Sequence, residues 1–342
     1  MNTMTPRQRY DAMLEGRTPD LLPRIPIFMQ FAAEYIGSNY GAFASDHRVL
    51  VEANLKCAED FGLDQVSTIS DPYRETAGFG AEIRFHTNSG PECVRPPLAD
   101  ATPGDNTLDK LTAPDPLAVP RMKDRVDAVR LYRERTGDRY SVLGWVEGPA
   151  ALGADLRGLS EFLMDLMEEP EWSGRLMDLC VDTSIRFAQA QIDAGADTIG
   201  IGDAICSQIS GEVYETLVWP RQMRLMKAIK AAGARIRLHI CGQTKHLWPK
   251  LRELPIDILD CDHMVDLAAA RAALPANLVL AGNVDPVSEL RFGGAEGLPA
   301  KVLTCARIAG PRFMVCAGCE IPSGTPLANI HAFCQPQAPL TP

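Results

Sequence analysis

Eight short apolar segments, most of them rich in β-branched residues, recur along the 342-residue chain and alternate with stretches of helical periodicity. Such alternation is typical of parallel strands that helices cover from outside. Eight units in a chain of this length favour an α/β fold of the closed (β/α)8 TIM barrel type, and an open doubly wound sheet is the alternative. The candidate strands are residues 24–28, 65–70, 141–147, 198–203, 235–241, 258–263, 278–284 and 312–319.

The remaining sequence is predicted to belong to the same unit. No low-complexity linker or repeat divides the chain, so residues 1–342 are expected to form a single barrel domain. Residues 1–60 have helical patterns and are predicted to be an N-terminal helical extension that caps the barrel. Residues 75–98 contain the alternating run AEIRFHT and a Gly-Pro turn, which predict a β-hairpin inserted after the second strand.

Charge and apolar patterning exclude several classes of protein. There are 34 Lys and Arg residues against 44 Asp and Glu, a net charge of −10, and no basic cluster, which disfavours nucleic-acid and anionic-membrane partners. No apolar run reaches the roughly 20 residues of a membrane helix. The N-terminal residues lack a signal peptide's apolar core. Ten scattered cysteines do not suggest a disulfide framework, so we expect a reducing, cytoplasmic location.

Polar residues occupy the ends of the candidate strands. In a TIM barrel, the reacting groups lie at the C-terminal ends of the strands, around one common mouth. The polar residues at these positions are Asp71, Glu147, Asp203, His239 with Cys241, Asp262 with His263, Asn283 with Asp285, and Cys319 with Glu320.

The run Arg-Leu-His-Ile-Cys-Gly at 237–242 is the strongest chemical signal. Residues two apart in a strand point to the same side, so His239 and Cys241 are predicted to share one space. Imidazole and thiolate are preferred zinc ligands, and Cys319 at the end of the last strand is available as a third. Alternatives remain a structural role for the His-x-Cys pair and a redox role for Cys316 with Cys319. Cys316 lies within the last strand and is expected to be buried.

Glu147, at the end of the run Gly-Trp-Val-Glu, is the candidate for a fourth, exchangeable oxygen ligand. It is followed by Gly148-Pro149, which is expected to stop the strand and fix the carboxylate. The alternative is an ion pair between Glu147 and a cation such as Arg157.

Three C-terminal runs, HICGQTKHLWPKL, AGNVDPV and AGCEIPSGTPLANI, resemble the uroporphyrinogen decarboxylase superfamily, and specifically its cobalamin-dependent methyltransferase branch. The opening TPRQRYDAMLEGRTPDLLPRIPI and the middle section ADTIGIGDAICSQIS are similar to the same superfamily, so the resemblance spans nearly the whole chain. It implies a barrel with zinc bound through His239, Cys241 and Cys319. The decarboxylase motif Arg-Gln-Ala-Gly-Arg is replaced here by residues of IPIFMQFAAEYIG, so decarboxylation is the less expected activity.

The resemblance implies a zinc-dependent methyltransferase whose corrinoid (cobalamin) arrives on a separate corrinoid protein. Zinc can act as a Lewis acid on the heteroatom of a substrate. We expect a small methyl donor such as a methoxylated aromatic, and therefore O-demethylation. Alternatives are methylcobamide:thiol methyl transfer, uroporphyrinogen-type decarboxylation, and a non-catalytic barrel that docks a corrinoid protein. The sequence is also compatible with a homodimer.

Further residues are assigned by their position near the predicted mouth. Glu147 and His263 are the candidate catalytic residues, His263 as a general acid for a leaving oxygen, although a hydrogen-bonding role at a strand end is the alternative. Aromatic side chains can stack on a ring-shaped substrate. The candidate substrate-binding residues are Trp145, Tyr73, Asp203, Tyr214 and Asn283.

Overall fold

The computed structural model describes residues 3–339, and its centre is a seven-stranded, wholly parallel sheet. Parallel neighbours need crossover connections, which the helices between the strands provide. These strands lie side by side in their order along the chain, as in a TIM barrel. Their bounds are β1 (Gln65–Ser67), β4 (Ser141–Glu147), β5 (Thr198–Gly202), β6 (Arg235–His239), β7 (Ile258–Cys261), β8 (Val279–Gly282) and β9 (Phe313–Met314).

The barrel closes through the segment that was predicted as the first strand, but the pairing there is brief. Arg24 forms an isolated parallel bridge with Val315, which follows β9. On its other side, the carbonyl of Arg24 accepts a hydrogen bond from the Asp64 amide, next to β1. Residues 24–28 therefore lie between the two edges of the sheet without forming a regular strand. Most of the other predicted strands are confirmed but are shorter than predicted at one or both ends.

Helices surround the sheet, and local signals explain several of their ends. α1 begins at a capping box formed by Thr5 and Gln8 and ends at Gly16 in the left-handed conformation. The helices are α1 (Pro6–Glu15), α2 (Gln30–Tyr35), α3 (Tyr40–Ser45), α4 (His47–Phe61), α5 (Arg74–Gly78), α6 (Pro120–Thr136), α7 (Pro149–Arg157), α8 (Leu159–Glu168), α9 (Pro170–Asp193), α10 (Gly211–Val213), α11 (Trp219–Ala231), α12 (Trp248–Leu251), α13 (Leu267–Ala273), α14 (Leu298–Ala309) and α15 (Leu327–Phe333). Short 3-10 or π turns occupy Leu108–Lys110, Ala204–Gln208, Tyr214–Val218, Lys245–Leu247, Pro286–Arg291 and Ala295–Gly297. Within residues 3–339, none of the helices combines the length and apolar character needed to cross a membrane.

The N-terminal extension and the inserted hairpin are both present. Four helices, α1 to α4, lie within residues 6–61, and they flank the segment that closes the barrel. The hairpin consists of two antiparallel strands, β2 (Ile83–Arg84) and β3 (Glu92–Cys93). It is narrower than the predicted range 75–98, because residues 74–78 form α5 instead.

The upper part of the barrel interior is built around one indole ring. Trp145 of β4 is buried and packs with Ile27, Ile69 and Leu143. The neighbouring strand β5 makes room for the ring with glycine: a Cβ atom on Gly200 would lie 2.2 Å from the Trp145 ring. The absence of a side chain at Gly200 therefore allows the ring to lie flat against β5.

We expect Gly200→Ala to destabilise the protein by about 1–3 kcal/mol, because the added methyl group overlaps a rigid ring in a packed core. Urea unfolding followed by circular dichroism measures the change. Gly294→Ala is the control, since a Cβ atom there meets nothing within 4 Å. Equal stability of the two variants would contradict the packing described here.

Candidate functional site

Three side chains that are common metal ligands converge at the C-terminal ends of the strands. His239 Nε2 lies 3.1 Å from Cys241 Sγ and 3.7 Å from Cys319 Sγ. The two sulfur atoms are 3.7 Å apart. Each of the three residues thus offers one donor atom to the same small space.

Strand geometry and two glycines produce this convergence. His239 is the last residue of β6, and Cys241 follows two residues later, so both side chains face the barrel axis. Gly242 has a φ of 86°, a left-handed conformation that suits glycine, and its amide donates to Asp262 Oδ2. Gly318 lies so close to His263 that a Cβ atom on Gly318 would be 2.3 Å from the His263 amide nitrogen. The absence of a side chain at Gly318 allows the chain to bring Cys319 close to His239 and Cys241.

The spacing of the three donors fits a tetrahedral zinc ion. Ligands at about 2.0–2.3 Å from tetrahedral zinc lie about 3.3–3.8 Å from one another. The two distances that involve Cys319 fall in this range, and the distance between His239 and Cys241 is slightly shorter. Two thiols and one imidazole also form a donor set that zinc prefers.

A buried ion pair orients the imidazole. Arg237 Nε donates to both oxygens of Asp260 at 2.9 and 3.0 Å, and Asp260 Oδ2 accepts from His239 Nδ1 at 3.0 Å. Although burial opposes ionisation, Arg237 and His239 hold the pKa of Asp260 below its usual value. The carboxylate therefore fixes the proton on Nδ1 and turns Nε2 towards the two sulfur atoms, an arrangement common around metal-binding histidines.

The three donors influence one another's protonation. Burial lowers the pKa of His239, but the hydrogen bonds with Asp260 and Cys319 outweigh it and raise the pKa to about 10. Hydrogen bonds from Cys241 and His239 lower the pKa of Cys319 to about 4, against the effect of burial. The imidazole and the two sulfur atoms thus share protons and negative charge, and a metal ion bound there would replace the protons on its ligand atoms.

The donors form one side of a cavity of about 330 Å³ at the barrel mouth. Its walls are largely aliphatic and aromatic, and five carboxyl groups interrupt them. The cavity is lined by Ile27, Met29, Ile69, Asp71, Pro72, Trp145, Glu147, Ala151, Asp155, Gly202, Asp203, Ala204, Ile205, His239, Cys241, Cys319 and Glu320.

Glu147 lies in this cavity but is held by residues other than the three donors. Its Oε1 accepts hydrogen bonds from Arg74 Nη2 at 2.9 Å and from Trp145 Nε1 at 3.1 Å. The metal-type group comprises His239, Cys241 and Cys319 without Glu147. The structure thus places Glu147 in an ion pair, as the alternative interpretation expected, although with Arg74 and not Arg157. Burial, together with the nearby charge of Glu75, raises the pKa of Glu147 well above its usual value.

The structure brings some of the other predicted residues to the cavity. Trp145 and Asp203 line it, and the rings of Trp145 and His239 lie 6.2 Å apart between centroids. Asp203 accepts hydrogen bonds from the Ala151 amide and from Gln222.

Four predicted residues do not line the cavity. The strands before three of them end earlier than predicted or lead into turns, so their side chains point elsewhere. Tyr214 is buried and donates to Gln222 Oε1, behind Asp203. Asn283 donates to the carbonyls of Asp262 and Val265. His263 is 40% exposed and pairs with Asp262 and Asp285, and Tyr73 is half-buried beside α5.

The sequence did not point to four residues that surround the donor group and the cavity. Arg237 and Asp260 lie within strands, and their charge inside apolar runs was the available signal. Arg74 and Asp155 lie on helices α5 and α7, where no strand-end pattern points to them. Cys316 is buried as predicted, and its sulfur accepts a hydrogen bond from Arg237.

Comparisons with known proteins identify the family to which this barrel belongs. The uroporphyrinogen decarboxylase (URO-D) family model matches residues 5–336. The chain therefore belongs to the uroporphyrinogen decarboxylase family.

Relatives with similar sequence identity to this chain are named for two different activities. A methylcobamide:CoM methyltransferase, MtbA, of Methanosarcina acetivorans is 31% identical over 341 residues, and the alignment covers 97% of each chain. MtbA of Methanosarcina mazei is 28% identical over 341 residues, with the same coverage. A uroporphyrinogen decarboxylase of Prochlorococcus marinus is 27% identical over 291 residues, which is 82% of this chain and 80% of that protein.

Solved structures support the fold. A methyltransferase from Methanosarcina mazei superposes with a TM-score of 0.86 at 21% identity, over 96% of this chain and 97% of that one. A B12-independent methionine synthase from Shewanella sp. W3-18-1 has a TM-score of 0.56 at 12% identity, over 92% and 94% of the two chains.

We expect Asp260→Asn to weaken zinc binding by about 10–100-fold, because the amide no longer fixes the proton on His239 Nδ1. Competition with a chromophoric chelator measures the affinity. Asp109→Asn is the control, since Asp109 is 53% exposed and pairs with Arg175 at the surface. Unchanged affinity in the Asp260 variant would contradict the orienting role of this carboxylate.

Proposed function

We propose that the protein is a zinc-dependent methyltransferase that moves a methyl group between a small substrate and the corrinoid of a separate protein. The observation that carries the proposal is the approach of one imidazole and two thiols to within 3.7 Å of one another beside a cavity. The relatives named as methylcobamide:CoM methyltransferases match over almost the whole chain, which supports the corrinoid as the methyl carrier.

His239, Cys241 and Cys319 are the residues that would hold the zinc ion. When bound, zinc supplies a Lewis acid for a heteroatom of the substrate and keeps one position open. The thiols must be free to act as ligands, so we place the reaction in the cytoplasm, where cysteines stay reduced.

The other residues of the cavity hold the substrate and exclude water. Ile27, Ile69 and Trp145 provide an apolar surface against which a small organic molecule can pack. Both hydrogen bonds of Glu147 go to Oε1, which leaves Oε2 to face a substrate atom. Burial raises the pKa of Glu147 although the paired Arg74 opposes this, so Glu147 is suited to take up and release a proton at a substrate heteroatom.

Two directions of transfer have separate support. Demethylation of a methoxylated aromatic is supported by the indole of Trp145 in the cavity wall, which can stack on a ring. Methylation of a thiol is supported by the names of the two Methanosarcina relatives. Incubation with cob(I)alamin and methoxylated aromatics, and with methylcob(III)alamin and thiols, distinguishes the two directions by the change in corrinoid absorbance.

We expect Cys241→Ser and Cys319→Ser to lower zinc to less than about a tenth of the wild-type content and to abolish methyl transfer, because a hydroxyl is a far weaker zinc ligand than a thiolate. Metal analysis and the corrinoid assay measure both effects. Cys316→Ala is the matched control, since this buried cysteine contacts Arg237 and not the donor group. Equal metal loss in all three variants would show that the cysteines have been wrongly assigned.

Glu147→Gln is expected to keep the zinc and to slow methyl transfer by about 10²-fold or more, because glutamine cannot hold the proton. Metal analysis and single-turnover kinetics measure the two properties. Glu171→Gln, an exposed change on α9, is the control. Loss of zinc in the Glu147 variant would instead support the role of fourth ligand.

A further inference from the structure

Two neighbouring residues of α5, Arg74 and Glu75, are fully buried and contact Glu147 in different ways. Arg74 Nη2 donates to Glu147 Oε1 at 2.9 Å. Glu75 Oε1 accepts a hydrogen bond from the backbone amide of Glu147 at 2.8 Å. One guanidinium group therefore lies between two buried carboxyl groups, of which that of Glu147 lines the cavity.

The contact between Arg74 and Glu75 is incomplete. Arg74 Nε lies 3.9 Å from Glu75 Oε2, which is too far for a hydrogen bond. Both atoms are shielded from solvent, and within residues 3–339 neither has a hydrogen-bond partner. A buried donor and a buried acceptor without partners are unfavourable, and a shift of about 1 Å would join these two. The observed position of Arg74 thus satisfies Glu147 and leaves Glu75 Oε2 unpaired.

The other charged groups near Arg74 do not change this competition. Asp71 Oδ2 lies 3.9 Å from Arg74 Nη1, but Asp71 already accepts hydrogen bonds from Arg121 at 2.8 and 3.0 Å. Asp155 on α7 adds a negative charge near both glutamates. A single guanidinium group cannot neutralise both glutamates when they are ionised together, so one of them is favoured in its neutral form.

We propose that Glu75 is a positioning residue for the proton carrier, and that Arg74 pairs with Glu75 while Glu147 holds a proton and with Glu147 once that proton is on the substrate. This inference rests on the proposed function, in which Glu147 carries the proton. In the first arrangement Glu75 is ionised, Glu147 is neutral, and these two groups and Arg74 have no net charge together.

The second arrangement follows from one proton transfer. The bond between the proton and a Glu147 oxygen breaks, and the electron pair of the leaving heteroatom forms the new bond to that proton. The carboxylate that remains accepts the hydrogen bond from Arg74 Nη2 that the structure shows. In thiol methylation the order is reversed, because Glu147 then takes up the proton of the thiol.

An arginine is suited to this exchange because its Nε and Nη atoms are separate donors on one planar group. A lysine has a single charged nitrogen at the end of a flexible chain and lacks this geometry. Glu75 Oε1 holds the Glu147 amide whichever carboxyl group Arg74 contacts, so the end of β4 stays in place while the guanidinium moves.

Glu147→Gln imitates the neutral form of Glu147 and tests the position of Arg74 directly. In a crystal structure of this variant we expect Arg74 Nε to lie about 3 Å from Glu75 Oε2, within hydrogen-bond distance. Glu171→Gln, the exposed change on α9, is the control and should keep the arrangement described above. The proposal is wrong if Arg74 stays on residue 147 and its Nε still lacks a partner.

Glu75→Gln removes the competing carboxylate and tests the same pairing through the pH dependence. Arg74 can then pair only with Glu147, so the pKa of Glu147 should be lower by at least about 1. Infrared titration follows the carbonyl band of protonated carboxyl groups, and the band that Glu147→Gln lacks belongs to Glu147. We expect this band to disappear at lower pH in Glu75→Gln than in the wild type, and the pH above which methyl transfer declines to fall with it.

An unchanged infrared midpoint in Glu75→Gln would overturn the proposal, because a purely structural role lowers the rate at every pH without moving the midpoint. If Glu75→Gln does not fold, the position of Arg74 in Glu147→Gln decides. Neither the crystal structure nor the infrared titration needs zinc, a corrinoid or a methyl donor. If Arg74 moves as expected but no methyl transfer is detected, the proposed function fails and the pairing stands. If methyl transfer depends on Glu147 while Arg74 keeps one position, the pairing fails alone.

Discussion

The ion pair between Arg237 and Asp260 is the interaction on which the candidate site depends. Both side chains are only 1% exposed, and the arginine reaches across the barrel interior to Gln65 and Cys316. One guanidinium group thus connects β6 to β7, β1 and the segment after β9. Removing either partner would leave an unpaired charge in the core, which is strongly destabilising. The packing of the barrel and the orientation of His239 are therefore determined by the same pair.

The polar groups at the barrel mouth lie in two layers. The lowest layer of the barrel mouth is fully hydrogen-bonded: Arg237 satisfies Asp260, and Asp260 satisfies His239. The layer above contains the three donors, whose one nitrogen and two sulfur atoms lie within 3.7 Å of one another. The three donors thus lie above a layer whose charges are paired, and this layer fixes the direction of the imidazole.

The sequence was informative where a side chain's direction follows from strand periodicity. His239 and Cys241 are two residues apart at a strand end, so their shared direction could be predicted, and the barrel placed Cys319 opposite them. Asn283 was expected at the cavity but does not line it, because β8 ends at Gly282 and the chain turns there. His263 lies outside the cavity for the same reason, since β7 ends at Cys261. Asp155 could not be predicted, because its approach to the cavity depends on how α7 packs after β4. Residues 24–28 look like a strand in sequence, but the curvature of the barrel leaves them only brief pairing.

Residues 24–28 form the side of the barrel with the least regular backbone hydrogen bonding. Neighbouring strands elsewhere in the sheet are joined by ladders of two to five residue pairs. Residues 24–28 have one bridge, from Arg24 to Val315, and single backbone hydrogen bonds that join Ile25 to Val315, Arg24 to Asp64 and Ile27 to Ile321. Ile27, Met29, Cys319 and Glu320 line the cavity along this same side. Regions with fewer ladder bonds open locally at lower free energy. Cys319, one of the two sulfur donors, therefore lies on the side of the barrel whose local opening would widen the cavity, while His239 and Cys241 lie at and just after the end of β6.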